Sequence, residues 1–173
     1  MPEVLEILKY TVPALIVLIT VFFMMRSMAR SEDQRRNVEL NTAAQKTVLP
    51  IRLQAYERII ILLERISPDS IIMRVNQANR TSKEYRAELL TAIKSEFEHN
   101  LSQQVYVSPE AWDAVKNARA NMINIINNAA QQVKPDASAL SLSNKILEIL
   151  MELTTPPNAA AIDIIKKEAQ QFF

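Results

Sequence analysis

Glu96-Phe97-Glu98-His99 is the pattern in this chain that comes nearest to chemistry. Glu-x-x-His puts a carboxylate and an imidazole on one helical face, the arrangement that holds di-metal centres in ferritin-like bundles. Such a centre needs two of these motifs, and His99 is the chain's one histidine. On a helical wheel it also points away from the stripe through Phe97, so it is expected at a surface or an interface. The same shortage removes a hydrolytic triad and a histidine base.

Two further groups invite a functional reading. Arg52, Glu57, Arg58, Glu64 and Arg65 flank the apolar run Ile59 to Leu63 in "RLQAYERIIILLERISP". Five consecutive apolar residues are far short of the roughly 20 that a membrane crossing needs, so this is expected to be a core helix. Its apolar stripe is Leu53, Tyr56, Ile59, Ile60, Leu63 and Ile66, widened by Ile61 and Leu62. The ions pair with neighbouring helices, reach water, or pair across an interface. Asn117, Asn121, Asn124 and Asn128 recur at i, i+4, i+7 and i+11, an amide stripe opposite one led by Trp112. That stripe is either a solvated face or a contact surface, because amides bond across an interface without the desolvation cost of full charges.

The elements that carry these residues follow from composition. The chain has 173 residues, no cysteine and no glycine, where average usage gives roughly a dozen glycines. Phosphate loops and dinucleotide loops are thereby excluded. Hairpin-rich β folds are disfavoured, and helices must end without glycine. Asn79 and Asn100 are candidates to close helices in its place. An all-α fold is expected. Without cysteine there are no disulfides and no thiolate chemistry, and no metal or cofactor is expected. Residues 1–47 carry six Lys/Arg against five Asp/Glu, and residues 48–173 carry fourteen of each. Nucleic acid, which demands clustered cations, is not an expected partner.

Tyr10 to Met25, "YTVPALIVLITVFFMM", is free of charge. Its sixteen residues rise about 24 Å as a helix, and Val4, Leu5, Ile7 and Leu8 extend it toward the ~30 Å hydrocarbon core. Glu3 and Glu6 precede the run, while Arg26, Arg30, Arg35 and Arg36 follow it. That order is the reverse of a cleaved signal peptide. It predicts a single-pass anchor, residues 1–29, in a bacterial inner membrane, with the N-terminus outside. Residues 30–49 should continue it as a helical stalk, with Val38, Leu40, Ala43 and Ala44 its sparse apolar positions. Pro50 should begin a new helix, opening a cytoplasmic helical domain over residues 50–173.

Within that domain the punctuation is local. Ser67-Pro68 opens "PDSIIMRVNQ". Thr81-Ser82-Lys83-Glu84 has capping-box spacing, followed by the stripe Leu90, Ile93, Phe97 and Leu101. Ser108-Pro109-Glu110 starts the next helix, with Trp112, Val115, Met122, Ile126 and Val133 inward. Pro135-Asp136 breaks the chain before the stripe Leu142, Ile146, Leu147, Leu150 and Leu153. Pro156-Pro157 introduces the last helix, with Ile162, Ile165, Ala169 and Phe172 on one side. Phe172-Phe173 is expected to plug the core rather than serve as a docking peptide.

"RLQAYERIIILLERISP", "EFEHNLSQQVYVS" and "AWDAVKNAR", after one N-terminal anchor, resemble an uncharacterised family of membrane-anchored helical proteins associated with Bacteroidota. The resemblance covers roughly residues 48–130 and implies no activity and no functional residues. The expected function is a membrane-anchored scaffold or accessory subunit, self-associating or docked on a membrane assembly. The alternative is an enzyme whose carboxylates, Glu57, Glu64 and Glu96, converge on a buried site.

Overall fold

The computed structural model of the protein describes residues 2–75 and 79–172, with side chains described at 15–28, 46–75 and 79–172. Its order is α1 (Pro2–Arg65), α2 (Pro68–Arg74), α3 (Ser82–His99), a 3₁₀ turn (Leu101–Val105), α4 (Pro109–Gln131), α5 (Ala139–Glu152) and α6 (Ala159–Gln170). The fold is all-helical among the described residues. Two compact units divide the chain, residues 1–48 and 49–173.

In the first unit the backbone is helical from Pro2 onward. Its apolar side chains from Leu15 to Met25 are exposed, Phe22 and Phe23 among them. The expected membrane crossing finds no support here: among the described residues no helix is long and apolar enough to cross a membrane. Tyr10 to Ala14, the first part of the expected crossing, have side chains outside the described residues, as do Val38, Leu40, Ala43 and Ala44 of the stalk.

The fresh start expected at Pro50 is not seen, because α1 passes through it. Proline's fixed φ is already helical, and the cost of continuing is one amide bond and crowding against the preceding turn. Pro50 is exposed, so solvent can take up the carbonyl it leaves unmatched.

Leu49–Phe173 has one core, with α4 packed against α3, α5 and α6. The end of α1 supplies Tyr56, Ile59, Leu62 and Leu63, and Ile66 follows directly after it, all buried. Each such aliphatic side chain contributes about 1.5–3 kcal/mol by leaving water. Ile61, expected to widen this stripe, is instead 47% exposed, while its neighbour Leu62 is fully buried. On α3 the inward stripe is Tyr85, Leu89, Ile93 and Phe97 at strict i+4 spacing. Leu90 sits at its edge and Leu101 is exposed. Trp112, Val115, Met122 and Ile126 are buried on α4 as expected. Leu147 and Leu153 of the α5 stripe are exposed, while Leu142 and Ile146 are buried and Leu150, half-buried, packs against the core beside them. A wheel gives the direction of a side chain; whether a neighbouring helix lies in that direction is settled by packing.

The helix ends show how a chain without glycine closes. Thr81 and Glu84 form the full capping box, and Ser108 Oγ caps α4 at the Ala111 amide. Ser138 does the same for α5. Asn79 holds the one positive φ among the described residues, 56°. Asn100 is not left-handed (φ −106°), and its side-chain amide donates to the Glu96 carbonyl instead. The last four carbonyls of α1 have no partner within the helix, and each finds one outside it. Leu62 O accepts from Ile66 N, Glu64 O from Ser67 N, Leu63 O from Asn158 Nδ2, and Arg65 O from Arg74 Nη2. Residues of α2 and the α6 cap thus hold the end of α1.

Candidate functional site

Glu96 sits on α3 one turn before its end, where the side chains of α1 and α2 reach it. Arg65 Nε and Nη2 donate to Glu96 Oε1 at 3.0 and 2.8 Å, and Arg74 Nη1 donates to the same oxygen. Arg74 Nη2 also donates to the Arg65 carbonyl at 3.2 Å. Burial pushes the Glu96 carboxyl up, but the hydrogen bond from Arg74 and the charge of Arg65 outweigh it and hold it below the ordinary carboxylate range. A carboxylate gripped by two guanidiniums is a clasp, poorly suited to accept a proton near neutral pH. His99 is exposed on the last turn of α3. Among the described residues no group of three or more His, Asp or Glu is placed to hold a metal ion.

Arg52 belongs to a second cluster, built around Glu168 of α6. Tyr56 Oη donates to Glu168 Oε1 at 2.7 Å. Ser108 donates from its amide to the same oxygen at 2.9 Å and from its hydroxyl to Oε2 at 2.7 Å. Arg52 Nη2 donates to Tyr56 Oη at 3.1 Å, and its Nε to the Tyr106 carbonyl at 3.1 Å. The guanidinium lies over the Phe172 ring, 4.4 Å from its centroid, and Phe172 also packs beside Tyr56. Phe172 thus takes its expected place as a plug; Phe173 lies outside the described residues. Burial raises the Glu168 carboxyl, yet the hydrogen bonds from Ser108 and Tyr56 hold it below its ordinary range. Tyr56 is raised, first by burial and then by its bond to Glu168. Ser108 therefore does two jobs, capping α4 and binding α6 to it.

The remaining residues singled out in the sequence are not drawn together. Glu57 and Glu64 are exposed and Arg58 is half-buried. They stand on α1, with Glu57 and Glu64 seven residues and about 10 Å of helical rise apart. Glu57, Glu64 and Glu96 do not share a buried site: only Glu96 leaves the surface, and it is held by arginines. Asn117, Asn121, Asn124 and Asn128 are all exposed on α4, opposite Trp112, Val115 and Met122. Glu64 forms part of the rim of an apolar groove of about 780 Å³, where Leu147, Leu150, Met151, Leu153 and Ile162 supply most of the apolar lining. Asn158, buried at the α6 cap, completes its floor.

Sequence reasoning missed Glu168 and Arg74. The signal for Glu168 was present: it falls three residues after Ile165 and four before Phe172, an acid on an apolar stripe. Such an acid needs a donor partner. Arg74 left no comparable trace, because its role depends on where α2 folds back.

No curated protein and no solved structure matches the chain. Residues 2–172 match a family described as a family of unknown function, DUF7935. The match runs through both arginine–carboxylate clusters and the amide face of α4, and by it the chain belongs to DUF7935.

Proposed function

We propose that this protein is a membrane-anchored scaffold or accessory subunit that works through helix-mediated contacts, with itself or with a larger membrane assembly. In this reading the charge-free run Tyr10 to Met25 is a single crossing of a bacterial inner membrane. The N-terminus lies outside and the helical domain in the cytoplasm, as the arginines after the run favour. The exposed apolar side chains from Leu15 to Met25 suit a lipid environment better than water.

One observation carries the contact role. From Asn117 to Gln131 the exposed positions of α4 are Asn117, Ala120, Asn121, Asn124, Asn128 and Gln131, none of them charged. They span about 21 Å of helix in a chain that is 23% charged. Interface cores are depleted of charge, whereas a face that only meets water gains by carrying it. Arg52 and Arg65, by contrast, are engaged inside the fold.

Purification from native membranes under gentle conditions, with mass spectrometry of what accompanies the chain, tests this. Replacing Asn121 and Asn124 with lysine should strip the partner or break self-association while leaving Trp112 fluorescence unchanged. A lone monomer in the wild type, or a partner that tolerates both lysines, overturns the reading.

A further inference from the structure

We propose that the hollow between the start of α3 and the end of α4 binds a phosphate-bearing anion. The hollow has a volume of about 380 Å³ and is lined by Ser82, Lys83 and Arg86 from α3, by Asn127 and Gln131 from α4, and by Pro135. Its two ionisable lining residues are both cations, and neither forms an ion pair among the described residues.

Ser82 supplies the independent sign of a ligand. It is 2% exposed, it lines the hollow, and its hydroxyl makes no hydrogen bond among the described residues. The Ser82 hydroxyl, almost enclosed and without a partner among the described residues, is free to donate to an oxyanion in the hollow. Arg86 is already oriented: its Nε and Nη2 donate to Asn127 Oδ1 at 3.0 and 2.8 Å. That bond occupies the Asn127 acceptor, leaving its Nδ2 hydrogens and Arg86 Nη1 as donors.

The helix start itself offers little. The Ser82 amide donates to Ala137 O at 2.7 Å, the Lys83 amide to Pro135 O at 3.1 Å, and the Glu84 amide to Thr81 Oγ1 at 3.3 Å. Recognition therefore falls to side chains, while these same bonds hold the Pro135 wall in place before any ligand arrives. Glu84 is turned back onto the Thr81 amide and hydroxyl at 2.9 and 3.0 Å. A guanidinium charge with its free Nη1, an ammonium, a hydroxyl and amide donors together suit a multiply charged oxyanion with several acceptors. The volume exceeds that of bare phosphate, so an ester substituent fits along Pro135. This site stands independently of the contact role proposed for the amide face.

A soluble phosphate monoester and a lipid headgroup share this chemistry, and the test separates them. Isotope-labelled full-length chain in a non-ionic detergent is titrated with inorganic phosphate and with glycerol phosphate at constant ionic strength. In parallel it is placed in phosphatidylcholine nanodiscs with and without phosphatidic acid. Saturable shifts of the Ser82, Lys83, Arg86, Asn127 and Gln131 amides with the free compounds mark a soluble ligand. The same shifts with phosphatidic acid alone mark a headgroup. Lys83→Ala and Arg86→Ala, both at exposed positions, should each weaken the response about tenfold, as loss of one charge-assisted bond predicts. Unchanged Trp112 fluorescence confirms that these variants fold. Shifts from neither source, or shifts that survive both substitutions, overturn the proposal.

Discussion

The Tyr56 hydroxyl donates to Glu168 Oε1 at 2.7 Å, joining residues 112 positions apart and tying the end of α1 to α6. Tyr56 is 3% exposed, so the bond is made where water competes poorly. Tyr56→Phe should cost about 1–2 kcal/mol. Glu168→Ala strands the Ser108 and Tyr56 donors at once and should cost about 2–3 kcal/mol. The double variant should lose less than the sum, because the two residues share one interaction. Urea unfolding followed through Trp112, the chain's only tryptophan and 7% exposed, measures all three.

Acid should loosen this domain through two carboxylates. Glu96 and Glu168 both have carboxyls held below their ordinary range in the folded state. A depressed folded value means that the stabilisation is complete above the unfolded value, about 4.3. It is lost as pH falls through the lower folded value. The wild type should therefore destabilise below about pH 4.3, and Glu168→Gln should flatten that slope. Tyr56 acts in the opposite direction: its value is raised, so its contribution holds below about pH 10 and fades as pH rises further. Urea midpoints across pH read both limbs; an acid slope identical in wild type and Glu168→Gln removes Glu168 from the account.

Among the acids named as enzymatic candidates, stability should separate one from two. Glu96→Gln weakens the clasp that Arg65 and Arg74 make and should cost about 1–3 kcal/mol. Glu57→Gln and Glu64→Gln, both at exposed positions, should stay within about 0.5 kcal/mol. Chemical denaturation of the three variants side by side is sufficient.

Two adjacent residues test the register of the α1 core. Leu62 is fully buried and Ile61 is 47% exposed. Leu62→Ala should cost about 2–5 kcal/mol, and Ile61→Ala no more than about 0.5 kcal/mol. Equal losses would mean that Ile61 is covered in the working assembly.

Helix starts were legible because capping is a short-range affair. Thr81 and Glu84 meet across three residues, and Ser108 reaches Ala111, so spacing alone identifies them. The all-helical fold was legible for the same kind of reason, since a chain without glycine has few ways to turn a hairpin. Of the candidate sites, the outward direction of Asn117, Asn121, Asn124 and Asn128 could be read, because a stripe opposite Trp112 on one helix has nowhere else to point. Tertiary structure decided the rest. Glu96 finds Arg65 and Arg74 only once α2 folds back against α1 and α3, and Glu168 finds Tyr56 and Ser108 only once α6 docks. Leu147 and Leu153, as apolar as Leu142, line a groove because no helix among the described residues covers them. Periodicity orients a side chain about its own helix axis; what it meets there depends on contacts formed across many tens of residues.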